Sequence, residues 1–229
     1  MIRTCLAVAA LLLSACSPSK PEDMTARYAR EGQPALVAMT AANGDARVAA
    51  GETLFLRKGG QEYIVLHDAA GSFSARIDDA LAVFAEDKSG LMASNGPRPQ
   101  PQYALSEAGS ESVAGVKGKV WKGHPRDVPS LTSFEGVVSG DPALAPLGQA
   151  LAMQTRFAVL RNSADFGGPG NFEKAMLDLF GKGAVLRFNT ILKLEKIDKA
   201  PIPATIFALP EPLLGRDALR ARLRKPAKE

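Results

Sequence analysis

Thr53-Leu-Phe-Leu-Arg57 and Glu62-Tyr-Ile-Val-Leu-His67 flank the pair Gly59-Gly60, and this stretch decides the architecture. A glycine pair between two short β-prone runs is a hairpin signal. In the second run Tyr63, Val65 and His67 point one way, and Ile64 and Leu66 the other. Side chains alternate sides along a strand, so a strand apolar at both phases is covered on both faces. Helices lying in the concavity of a curved sheet would supply one cover. A flat sheet under a helical layer fits the same periodicity.

Outward from this hairpin the pattern repeats. Ala35–Thr40 runs into Asn43-Gly44-Asp45 and returns through Ala46–Ala50, a second hairpin. Phe73–Ile77 places Phe73, Ala75 and Ile77 on one face, with Ser74 and Arg76 on the other. Tyr103–Ala108 and Val113–Trp121 surround Gly109-Ser110, which reads as a further turn. Near the end, Leu186, Phe188, Leu192 and Leu194 alternate with Arg187, Asn189, Lys193 and Glu195, the clearest period-two segment of the chain. Two segments break the β pattern. Asp141-Pro142 predicts a capped helix running to about Leu160, with Leu144, Leu147 and Leu151 on one stripe, then Met153, Phe157 and Leu160. Asn171 caps another, with Phe172, Met176, Leu179 and Phe180 apolar before Gly181 and Gly183. Asp165–Gly170 reads as the loop between them, and a shorter helix is expected at Asp79–Asp87. Hairpins, a helical insertion and a return to strands predict an α+β fold with an antiparallel sheet in one domain.

The chain has 229 residues, 46% hydrophobic and 23% charged. This is globular composition and excludes a disordered chain, a collagen and a multispan membrane protein.

The first sixteen residues, MIRTCLAVAALLLSAC, follow Arg3 with an apolar run from Cys5 to Leu13. A membrane span needs roughly 20 apolar residues, so this run reads as the core of a signal peptide. Its end, Leu13-Ser14-Ala15-Cys16, resembles the lipobox of bacterial lipoproteins. The resemblance implies cleavage between Ala15 and Cys16 and acylation of Cys16, an anchor carrying palmitate-like chains. Ser17 in place of Asp implies, by the Gram-negative sorting rule, the outer membrane with the domain facing the periplasm. The expected organisation is a signal peptide over 1–15, a lipidated tether over 16–23, a domain over 24–211 and a basic tail over 212–229. With Cys5 removed and Cys16 acylated, no thiol is left for catalysis or for holding a metal.

Arg3 is the one charged residue of 1–15, so from Cys16 onward 27 basic residues face 24 acidic ones, a net of +3. The tail holds Arg216, Arg220, Arg222, Arg224, Lys225 and Lys228 against Asp217 and Glu229, a net of +4. The rest carries about −1, so no nucleic-acid-binding field is expected. The tail itself is expected either to touch anionic headgroups or to form a solvated terminal helix.

Glu111–Trp121 (ESVAGVKGKVW), Val138–Leu147 (VSGDPALAPL) and Pro201–Pro210 (PIPATIFALP) together resemble the uncharacterised bacterial proteins of the domain-of-unknown-function 4412 (DUF4412) group. That group resembles the outer-membrane lipoprotein carrier fold. The resemblance spans roughly Met24–Leu214 and implies an open half-barrel with helices packed in its concave face. It brings no functional residues with it. By analogy with carriage, Trp121, Leu144, Leu147, Leu151 and Phe157 are candidates to line a cavity for an apolar ligand, a lipid or a lipidated partner.

No catalytic motif is found. His67 and His124 have no zinc-binding spacing, and nucleophile elbows, phosphate loops and dinucleotide fingerprints are missing from the sequence. No cofactor or metal is expected. The leading expectation is non-catalytic binding of an apolar ligand. The alternatives are an envelope interaction module without a ligand and, third, an envelope hydrolase with His67 as base.

Overall fold

The computed structural model describes residues 21–92, 102–126, 133–163 and 171–224. The expected signal peptide, the cleavage and acylation point at Ala15 and Cys16, most of the tether, the loop Asp165–Gly170 and residues 225–229 lie outside them.

The first six strands are a meander: β1 (Met24–Arg30), β2 (Gln33–Thr40), β3 (Ala46–Ala50), β4 (Thr53–Lys58), β5 (Gln61–Asp68) and β6 (Gly71–Arg76). Helix α1 (Ile77–Met92) follows, then β7 (Tyr103–Val113), β8 (Val116–Pro125) and β9 (Phe134–Ser139). A 3-10 turn at Pro142–Leu144 leads into α2 (Ala145–Ser163), followed by α3 (Asn171–Phe180), β10 (Ala184–Phe188) and β11 (Leu192–Asp198). A 3-10 turn at Ala204–Phe207, β12 (Leu213–Leu214) and α4 (Arg216–Leu223) complete the order. All strands join one curved, open sheet in the order β12-β6-β5-β4-β3-β2-β1-β11-β10-β9-β8-β7. Neighbours are antiparallel except β12, which lies parallel to β6.

Cross-strand register explains the core. Ala26, Ala38, Val48, Phe55, Ile64 and Ala75 pair in sequence from β1 to β6, so they form one row on one face, all buried. Helix α2 packs on β2, where the row carries Ala38, on β3 and β4, and also on β10. Buried residues extend around most of α2 beyond the Leu144–Leu147–Leu151 stripe, with Gln149 and Arg156 on the open side, as befits a helix packed against the sheet, α1 and α3. Its Phe157 ring sits 5.4 Å from Phe55 and 6.0 Å from Phe84. One continuous core takes in this row, α1, α2, α3 and Leu219 of α4.

The opposite face is also covered where the sequence requires it. Leu56 and Val65 point away from the Phe55–Ile64 row and are still buried. The cover is the closing segment after β11, whose turn Ala204–Phe207 packs on β3 and β4 with Phe207 buried. Asp23 fastens the segment at one end by accepting the Ile202 amide at 2.7 Å. Ser74 fastens it at the other, its hydroxyl donating to the Pro210 carbonyl at 2.6 Å.

Three expectations are corrected. Gly109-Ser110 is a bulge inside β7, where the register with β8 shifts between Glu107 and Ser110. The turn lies at Ala114-Gly115, both at positive φ (50° and 79°), as a two-residue type I′ hairpin requires. The Leu186–Glu195 segment is two strands, not one. Phe188 pairs with Leu192 across Asn189-Thr190-Ile191, and the three-residue loop preserves parity, so the alternation runs through the turn unbroken. Asn189 takes the required left-handed conformation (φ 46°). The helix expected at Asp79–Asp87 spans Ile77–Met92, with Asp78 and Asp79 favourably placed in its first turn.

The tail is built into the fold as far as it is described. α4 packs on α1 and β12, with Leu219 wholly buried. Arg216 and Arg220 converge on Glu86 at 2.6 Å each, and Arg222 pairs with Asp68 at 2.7 Å while stacking 4.0 Å over the Phe73 ring.

Candidate functional site

The β7–β8 hairpin is the edge of the sheet, and its far end leans over a cleft of about 930 Å³. This lies at the upper end of the roughly 300–1,000 Å³ of ligand sites. Glu107, Ser110, Val116, Lys117 and Lys119 come from the hairpin. Ser139 and Asp141 come from the end of β9, Leu144 from the 3-10 turn, and Ile197 and Lys199 from the end of β11. Local chemistry fixes each wall. The bulge turns β7 at Glu107–Ser110, and the type I′ turn places Gly115 and Val116 at the rim. The Asp141 carboxylate accepts the Ala143 amide at 2.9 Å and holds the start of the turn that carries Leu144.

The cleft is amphipathic. Val116, Leu144 and Ile197 supply apolar surface, whereas Lys117, Lys119 and Lys199 supply positive charge against Glu107 and Asp141. Lys119 pairs with Glu107 at 2.9 Å. Lys199 pairs with Glu22 at 2.8 Å, and that hydrogen bond holds its ammonium above the ordinary lysine range. Lys117 has no ion pair among the described residues. Lys199 also borders a hollow of about 290 Å³ formed with Pro21, Glu22, Asp23 and Ala42, where the N-terminal segment enters the domain.

Of the five residues nominated as ligand-lining, Leu144 alone reaches this cleft. Leu147, Leu151 and Phe157 are packed in the core, at 0%, 0% and 3% exposure. Trp121 is half-buried on β8 and carries the Lys182 ammonium 4.0 Å above its ring. The cleft residues were missed because they are lysines, glycines and single aliphatics from four separate segments, which no periodicity links.

His67 does meet a hydroxyl. Its Nδ1 lies 2.9 Å from Ser72 Oγ, its cross-strand partner in the β5–β6 hairpin. A catalytic arrangement needs a third group to orient the ring. The neighbouring Asp68 carboxylate is instead turned to Arg222 and to the Ala70 amide, and His67 is exposed. The pair is a hydrogen bond closing the end of a hairpin.

Among the described residues no three His, Cys, Asp or Glu side chains are grouped to hold a metal ion, and no helix is long and apolar enough to cross a membrane. No protein-family profile matches the chain, and no curated protein matches it in sequence.

Proposed function

We propose that the protein is a periplasm-facing lipoprotein, anchored in the outer membrane through Cys16, whose half-barrel domain binds an apolar ligand without catalysis. The observation that carries the ligand reading is the cleft, with Val116, Leu144 and Ile197 beside a lysine-bearing rim. The curved open sheet with α2 lodged between β10 and β2–β4 supports the half-barrel. Because Leu147, Leu151 and Phe157 are packed in the core, the proposed ligand site is the mouth beside the β7–β8 hairpin and not the sheet–helix interface. The apolar run, the lipobox and Ser17 support the anchor and its address.

Native mass spectrometry on residues 17–229, secreted into a bacterial periplasm without the acyl anchor, tests the ligand. The expected result is an adduct of phospholipid or fatty-acid mass, lost on solvent extraction and diminished in Val116→Glu, a half-buried position at the hairpin end. A clean protein mass together with no uptake of an added fatty acid refutes it. Incorporation of labelled palmitate that vanishes in Cys16→Ser checks the anchor separately.

A further inference from the structure

We infer that the cleft selects an anionic amphiphile: a phospholipid of one net negative charge, its chain on Val116, Leu144 and Ile197 and its head on Lys117 and Lys199. The inference rests on the reading of the cleft as an apolar-ligand site and adds the chemistry of the headgroup. Three ammonium groups line the cleft, and two of them are held in ion pairs, Lys119 by Glu107 and Lys199 by Glu22. Asp141 is engaged as a helix cap. Lys117, next to Val116 in the hairpin, is the lining cation that has no ion pair among the described residues. A neutral chain would leave that ammonium without a counter-charge. A headgroup phosphate would supply one and could draw Lys199 from Glu22, since a surface pair of this kind is held by about 1 kcal/mol or less.

The entry of the chain names the source of the ligand. Asp23 is fixed by the amides of Ala42 at 2.8 Å and Ile202 at 2.7 Å, and the adjacent Glu22 is tied to Lys199 at the cleft wall. Five peptide steps separate Cys16 from Pro21, at most roughly 17 Å when fully extended. On an acylated Cys16, the cleft opens within reach of the headgroups of the leaflet that holds the protein. Arg216, Arg220 and Arg222 are committed to Glu86 and Asp68, and Lys119 and Lys199 to Glu107 and Glu22, so Lys117 is the cation that would meet that surface unpaired.

The test uses the full chain, purified from membranes and reconstituted in phosphatidylcholine vesicles. One set contains phosphatidylglycerol with a diazirine-bearing tail, the other phosphatidylcholine with the same tail. The expected result is cross-linking within residues 115–119 and 197–199, about fivefold stronger with phosphatidylglycerol, as one lysine near an anionic surface provides. Lys117→Glu should bring that yield down to the phosphatidylcholine level with the circular dichroism spectrum unchanged. Equal yields from both lipids would overturn the headgroup inference and leave the apolar-ligand reading standing. Cross-links absent from the cleft with either lipid would overturn that reading itself. Suppression of the cross-link by millimolar inorganic phosphate would reassign the lysines to a free anion and overturn the lipid as ligand.

Discussion

Phe207→Ala tests whether the closing segment holds the second face of the sheet. Phe207 is 1% exposed on a turn that packs across β3 and β4, on the side where Leu56 and Val65 are buried. Truncating a buried Phe costs about 3–5 kcal/mol, the lost transfer energy plus the cavity left behind. In this chain the high end is expected, because the segment is otherwise secured mainly by two hydrogen-bonded points, Asp23–Ile202 and Ser74–Pro210. For a domain of this size each kcal/mol lowers Tm by about 2–4 °C, so the loss at about 5 kcal/mol should be roughly 10–20 °C. Urea unfolding followed by Trp121 fluorescence and by circular dichroism measures it. Ile206→Ala, one residue away and 37% exposed, is the control and should cost under about 1 kcal/mol. Equal and small losses in the two variants would refute the reasoning: the segment would lie on the sheet without covering it, and Leu56 would owe its burial to something else.

Gly148→Ala should destabilise by about 1–3 kcal/mol or more, since a Cβ there would lie 2.7 Å from the Gly183 backbone, which cannot yield as a side chain can; thermal unfolding reads this. Ala114→Gly should stabilise by up to about 1 kcal/mol by relieving a left-handed alanine in the β7–β8 turn, seen as a raised urea midpoint. The docking of α4 should weaken in acid. Hydrogen bonds from Arg220 and Arg216 pull Glu86 down from 4.5 to about 2, and that from Arg222 pulls Asp68 down from 3.8 to about 2. A carboxylate lowered in the folded state stabilises above its unfolded pKa and ceases to do so as pH falls through the folded one. The protection of the α4 amides, measured against their intrinsic exchange rates, should therefore fall between about pH 4.5 and 2, and Glu86→Gln should remove much of that dependence.

The sheet was legible wherever turn residues and parity agreed, as at Gly59-Gly60 and Asn43-Gly44-Asp45. It was misread where they did not. Gly109-Ser110 looks like a turn in isolation, but its glycine serves a bulge, and the true turn uses Ala114, a residue with no turn preference. The Phe188–Leu192 loop was invisible because three residues keep the core-facing phase. Double-sided burial of β5 was legible from Ile64 and Val65, but the identity of the second cover was not. The periodicity of a strand reports that a face is dry and says nothing of which distant segment dries it.

The same limit explains why the cavity was sought in the wrong place. A stripe such as Leu144–Leu147–Leu151 signals burial, and the commonest cause of burial is a packed core. The residues that surround the cleft are instead brought together by three backbone devices: a bulge, a type I′ turn and an aspartate cap. Each device leaves a weak local mark, and only the paired register of β7 to β11 makes them converge. Leu144 belongs to both descriptions, buried at 6% and still at the cleft wall, because it stands where the helical core meets the open end of the sheet. A ligand seated there would touch the core at one residue and the lysine-bearing hairpin along its length. Its affinity should therefore respond to changes in the hairpin more than to changes in α2.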